Sequence, residues 1–272
     1  MTMFRRKLRV LASLLAVAFL ALSCGEKIDD PGKNDNGPVD QDELVAVQGF
    51  YTLEHEGFKF KIREEVYETP AAQSAISHLK DDLSEINKII PESALKVMKK
   101  NPIWLEKDLT DGAAWYHNNR DWLAEQSEKD SRYMTAKWHC VELCNYVHYV
   151  SWSLQNQPYM VLHELCHLYH DQGLAGGFEN PDVKAAYNHA MNAGLYVNTP
   201  YRLDKNTLIP HYDDYYHAKV YATNNQMEYF SEICEAYWGE NDYYPFNYED
   251  LKEYDTQGFA LMEKVWGKRA DK

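Results

Sequence analysis

Positive charge is scarce in this chain: 28 Lys and Arg stand against 42 Asp and Glu, a formal net charge of −14. Such a balance excludes nucleic acid as a partner and gives no basic surface for anionic lipid. A second long apolar run is absent after residue 22, and so is any internal repeat, which excludes a multi-span membrane protein and a solenoid. Cysteine is sparse as well, with five in 272 residues. Cys140 and Cys144 lack the CxxC spacing of a zinc knuckle. Together with Cys166 and Cys234 they form an even set that allows disulfides in an exported chain, or four packed thiols.

The first 23 residues read as a signal peptide. Arg5, Arg6, Lys7 and Arg9 form a basic start, and Val10 to Leu22 an apolar stretch too short to span a bilayer comfortably. The run Ala21-Leu22-Ser23-Cys24-Gly25 resembles a bacterial lipobox, with Ala21 where that signal prefers Leu. The resemblance implies that Cys24 carries lipid and that the mature chain is an exported lipoprotein of the outer membrane, held there by the lipid alone. Loss of the four leader cations takes the formal charge from −14 to −18. Residues 24–43, rich in Asp, Asn, Gly and Pro, read as a flexible tether. Residues 44–272 are then long enough for one large domain with a real core.

Within that domain the expected class is α+β. Alternation at Phe58-Lys59-Phe60-Lys61-Ile62 suggests a strand or hairpin, and Ala72, Ala75, Ile76, Leu79, Leu83, Ile86 and Ile89 mark an amphipathic helix that ends before Pro91. A short helix from Glu92, a strand at Ile103-Trp104-Leu105, a loop from Gly112 to Asn119 and a short helix at Trp122 to Gln126 follow. Trp138 to Asn145 reads as a strand, either internal or at the sheet edge where an extended substrate would pair. Asn180-Pro181 reads as cap and first residue of a helix stopped by Gly194. Residues 195 to 215 look like an irregular strand-and-loop excursion, Tyr221 to Trp238 like one helix closed by Gly239, and the tail like two more helices.

The chemistry concentrates in Pro158 to His170, PYMVLHELCHLYH. His163-Glu164-Leu165-Cys166-His167 is an HExxH pattern: four residues are about one helical turn, so both imidazoles can reach one metal ion while Glu164 faces a water on it. Pro158 suits the first helical position, and Met160, Val161, Leu162, Leu165, Cys166 and Leu168 give contacts nearly all round, as a buried helix requires. His170, three residues past His167, is expected to be hydrogen-bonded or cleft-lining. Histidines that merely fill hydrogen bonds are the bland alternative, and a third ligand would decide between the two. In Glu228-Tyr229-Phe230-Ser231-Glu232 two carboxylates lie one turn apart on a largely apolar helix. One can ligate and the other can orient a ligand histidine.

With these motifs the chain resembles the gluzincins, zinc metallopeptidases with HExxH and a downstream glutamate, and within them the catalytic domain of the anthrax-lethal-factor type. That domain follows HExxH with Y-x-x-x-N-x-x-E-(F/Y)-F-x-E, matched here by Tyr221, Asn225, Glu228, Tyr229, Phe230 and Glu232. The resemblance implies a zincin-like bilobal domain, a small mixed sheet with the active-site helix plus a mostly helical C-terminal lobe. It implies one zinc ion on His163, His167 and Glu228, Glu164 as general base, Tyr221 as hydrogen-bond donor in the transition state and Glu232 behind the ligands. His217 is a further candidate for steadying the oxyanion. A protein or peptide would be the substrate. A metzincin is excluded, because Gly173 and His170 stand where that group needs His and Gly. Two other functions share the scaffold: a non-catalytic zinc-binding lipoprotein, for which an intact Glu164 has no use, and an amidase acting on cell-wall peptide.

Overall fold

Two strands of alternating pattern and a third that is apolar and buried throughout meet side by side and set the frame. The computed structural model describes residues 45–210 and 220–269; the leader, the tether, Cys24 and His217 lie outside them. Strands β1 (Phe50–His55) and β2 (Phe58–Arg63) form a hairpin around Glu56 and Gly57, both at positive φ. A short helix α1 (Glu64–Tyr67), the long α2 (Pro70–Ile89) and α3 (Glu92–Met98) lead to β3 (Ile103–Leu105), which lies parallel to β2. Next come β4 (Trp115–Tyr116), α4 (Arg120–Ser127) and β5 (Val141–Leu143). The five-stranded mixed sheet has the order β1-β2-β3-β5-β4, with β5 parallel to β3 and β4 antiparallel to β5.

The inward residues Phe58, Phe60, Ile62, Ile103, Leu105, Val141 and Leu143 are buried with the apolar stripe of α2, from Ala72 to Ile86. Each large side chain taken out of water there stabilises the fold by about 1.5–3 kcal/mol. Thr69 caps α2 through its hydroxyl, and Pro70 occupies the first turn, where a missing N–H costs nothing.

The other face of the sheet carries charge instead. Lys137, fully buried, pairs with Glu106 at 2.9 Å and with Glu142, while Arg63 binds Glu106 at 2.9 Å and His117 Nε2 lies 2.6 Å from Glu142. Because Glu142 sits on β5 and His117 follows β4, the network ties the two-residue edge strand to the sheet. Removal of one partner would strand the others in low dielectric, at a cost of about 3–5 kcal/mol.

Two departures precede the HExxH helix. Helix α5 (Tyr146–Gln155), capped by Asn145, stands where the sequence pattern marks no element. Helix α6 (Met160–Gly173) begins two residues after Pro158, with Tyr159 at its N-cap, so the proline is not at the first helical position. Every residue of α6 from Met160 to Leu168 is buried.

After α6, helix α7 (Pro181–Asn192) has Asn180 as cap, its Oδ1 accepting from the amides of Asp182 and Val183. Strands β6 (Tyr201–Asp204) and β7 (Thr207–Ile209) form a separate two-stranded ribbon. Tyr221–Thr223 is a 3-10 turn, and α8 (Gln226–Trp238) starts only after Asn225; α9 (Tyr248–Tyr254) and α10 (Thr256–Trp266) complete the chain. Helix α8 packs on α6, and the C-terminal end of one meets the N-terminal end of the other. A Cβ at Gly239 would stand 2.1 Å from the Tyr159 ring, so the approach requires glycine there. Between the two helices the Cys166 and Cys234 thiols meet; Cys140, Cys144, Cys166 and Cys234 are all free and buried. No helix among the described residues is long and apolar enough to cross a membrane.

Candidate metal centre

Three ligand-type atoms from two helices converge where α6 and α8 cross. His163 Nε2 and His167 Nε2 are 3.1 Å apart, and Glu228 Oε2 lies 3.2 Å from the first and 3.0 Å from the second. A tetrahedral zinc site with bonds of about 2.0–2.1 Å has ligand–ligand edges of roughly 3.3 Å, so this triangle fits one small cation within about 0.3 Å. Three neutral-or-anionic donors of the N, N, O kind also suit zinc chemically.

Local structure explains how each donor arrives. The two histidines are one turn apart on a helix buried from Met160 to Leu168, and both line the cleft together with Glu164 between them. Glu228 is placed by Asn225: its Oδ1 accepts from the amides of Met227 and Glu228, each at 2.9 Å, and so fixes the first turn of α8. The asparagine that matched the resemblance is therefore a cap. It also breaks the expected continuous helix from Tyr221, leaving that tyrosine on the preceding 3-10 turn with its ring centroid 6.1 Å from that of His163.

Electrostatics converge on the same point. Burial alone would push the Glu228 carboxyl upward, yet His163 and His167 beside it hold it well below the usual carboxylate range. His163 is raised well above an ordinary histidine in spite of its burial, because Glu228 and Glu235 both face it. That much negative potential around the two Nε2 atoms favours a cation between them. Glu164 is raised above an ordinary glutamate, first by burial, with His167 and His163 opposing. Burial, then Glu228, pushes Tyr221 up to about 12, so its hydroxyl keeps its proton.

The carboxylate behind His163 is a different one from that expected. Glu235 Oε1 lies 2.6 Å from His163 Nδ1, whereas Glu232 is 3.9 Å away. Seven residues turn a helix by about 700°, which brings Glu235 back to within roughly 20° of the face of Glu228; four residues leave Glu232 about 40° off. The i, i+7 spacing was the signal in the sequence that would have found Glu235. His170 also departs from expectation: it is fully buried between Phe178 and Phe230, neither ring nitrogen has a partner among the described residues, and burial lowers its pKa to about 3. It does not line the cleft.

The centre opens into a cleft of about 730 Å³ lined by Glu164, His163, His167, Glu228 and Tyr221 on one side and by Ala113, Ala114, Trp115 and Tyr116 on another. Strand β4 is thus the sheet edge at the cleft, and β5 is internal, one of the two alternatives that the sequence left open for it. The hydroxyl of Tyr116 donates to Asp171 on α6 at 2.7 Å, which locks β4 beside the histidine helix. No family profile, curated protein or solved structure matches the chain.

Proposed function

We propose that the chain is a zinc-dependent peptidase of the gluzincin kind, hydrolysing peptide bonds with water. The observation that carries this reading is the 3.0–3.2 Å triangle of His163, His167 and Glu228 beside Glu164, in a cleft also lined by β4, the strand at the edge of the sheet among the described residues. The small sheet over α6 and the helices after it would then be the two lobes of a zincin.

Zinc bound at such a site makes water acidic enough to lose a proton near pH 7 and polarises a carbonyl oxygen. The protein's own residues do the rest. An extended substrate adds to the free edge of β4, whose backbone groups fix the scissile bond over the histidines. Glu164, raised by burial above an ordinary glutamate, takes the proton of the attacking water and returns it to the leaving amine. Tyr221, protonated at all physiological pH values, donates its hydroxyl to the oxygen that gains charge. Glu235 beside His163 Nδ1 holds the ring with Nε2 aimed at the centre. Lipid on Cys24 would hold this domain at the membrane through the tether.

Metal analysis of purified protein tests the premise. Wild type should hold about one zinc per chain, and Glu228→Ala should weaken binding 10-fold or more. Unchanged affinity in that variant would remove Glu228 from the site.

A further inference from the structure

The bond that holds β4 to the histidine helix belongs to a junction that takes in a third segment. Asp171 Oδ2, on α6, accepts from the Tyr116 hydroxyl at 2.7 Å and from Gln172 Nε2 at 2.7 Å, and His139 Nε2 lies 3.5 Å from the same oxygen. His139 stands two residues before β5. Its backbone N–H donates at 2.7 Å to the carbonyl of His117, the residue that follows β4. One carboxylate and one histidine therefore both hold the end of the strand that lines the cleft.

His139 is kept in an uncommon conformation at this place. Its φ is 60°, in the left-handed region that few residues other than glycine adopt, and its carbonyl accepts from Asn101 Nδ2 at 2.9 Å. Two backbone bonds, one on each side of the Cα, thus fix the ring beside Asp171. The Trp138 ring lies against it with centroids 4.0 Å apart, and an aromatic face favours a cation. The side chains of His139 and Asp171 are 23% and 18% exposed, so protons reach both from solvent.

The count of donors gives the junction two states. The Gln172 amide nitrogen only donates: it gives one hydrogen to Asp171 Oδ2 and the other to His139 Nε2 at 3.3 Å, which is then an unprotonated acceptor. A proton on Nε2 would set two donors face to face, so Gln172 must leave and the new N–H must turn to Asp171. Among the described residues Asp171 has no Lys or Arg within 4 Å, and no other carboxylate stands that close to His139. The neighbouring titratable groups are all committed. Burial, then Asp171, raises the Tyr116 phenol well above its ordinary range, and burial pushes the Cys140 thiol up to about 11. Lys137 pairs with Glu106 and Glu142, and the His117 ring faces Glu142. Charge gained by His139 therefore falls on Asp171.

We infer that His139 and Asp171 are positioning residues that form a proton-operated latch on β4, closed when His139 is charged, and that peptide pairs more tightly with the strand in that state. The inference rests on the peptidase reading for the pairing with peptide. Imidazoles take up their proton as pH falls from about 8 to 5, and a charge-assisted hydrogen bond is about twice as strong as the neutral contact it replaces. The strand is thus held more firmly toward the acid side of that window.

Hydrogen exchange on the zinc-loaded full chain reads the latch without substrate, with zinc content checked at each pH. Protection of residues 112–118, corrected for the intrinsic pH dependence of exchange, should be about fivefold or more higher at pH 5.5 than at pH 8.0. His139→Gln, neutral at both values, should remove that rise. Asp171→Asn, which still accepts from Tyr116, should remove it too and covers a His139 variant that folds poorly. Equal protection at the two pH values in wild type, or a rise that survives in both variants, would overturn the inference. Hydrolysis of a library peptide that wild type cleaves gives the second reading. The KM of His139→Gln divided by that of wild type should grow about threefold or more from pH 8.0 to pH 5.5, with no such change in the ratio of kcat values. A KM ratio that does not vary with pH would overturn the link to binding. A latch seen by exchange with no peptide cleaved keeps the latch and removes the peptidase, whereas cleavage without a latch does the reverse.

Discussion

Glu235 reaches His163 from behind, Oε1 to Nδ1 at 2.6 Å, while Glu228, seven residues earlier on the same helix, faces Nε2 of the same ring at 3.2 Å. One helix thus addresses both nitrogens of one imidazole. Glu235→Gln and Glu235→Ala should weaken zinc binding by about 10–100-fold, as loss of a group that orients a ligand histidine does. Glu232→Gln should leave zinc affinity within about threefold. Competition with a fluorescent chelator measures both, and equal losses in the Glu232 and Glu235 variants would contradict the assignment.

Asn225→Ala should cost about 1 kcal/mol of stability through loss of the α8 cap. It should also weaken zinc binding, because the capped turn is the one that carries Glu228. Asn225→Asp retains an acceptor and should restore both. Urea unfolding with and without chelator separates the two effects.

Asp82 gives a pH signature away from the centre. Burial raises its carboxyl from 3.8 to about 6, against the hydrogen bond donated by Tyr149 at 2.6 Å. The folded state therefore holds more protons than the unfolded one between about pH 4 and 6, and stability falls as pH rises through that window. Asp82→Asn, which still accepts from Tyr149, should gain about 1–3 kcal/mol at pH 8 and nothing near pH 3.5. Urea titrations at the two pH values read this directly; a gain that is the same at both would contradict the assignment.

What could be read in advance was local. The stripe of α2, the bounds of α3 and β3, and the Asn180-Pro181 start of α7 each follow from periodicity or cap chemistry within a few residues. The pairing of β4 could not be read, since Trp115 and Tyr116 become a strand only by lying against Glu142 and Val141. Helix α5 was hidden by a run of aromatic and β-branched residues, YVHYVSW, whose helical state is imposed by packing on α2. In the site, the HExxH histidines were legible because their spacing matches one turn, whereas spacing left Glu228 and Glu232 as alternatives and only the resemblance singled out Glu228. Glu235 was not legible, since it lies two turns past Glu228, beyond the single-turn pairing of Glu228 with Glu232, and the Asn225 cap was concealed because the residues around it read as continuous helix.

The most direct test of the account is hydrolysis by Glu164→Gln. Glutamine keeps the size of the side chain but cannot take a proton from water, while His163, His167 and Glu228 remain to hold the metal. The account predicts about one zinc per chain in both proteins, cleavage of a broad peptide library by wild type, and a loss of roughly a hundredfold or more in the variant. Equal cleavage by the two zinc-loaded proteins, or none by zinc-loaded wild type across the library, would contradict it.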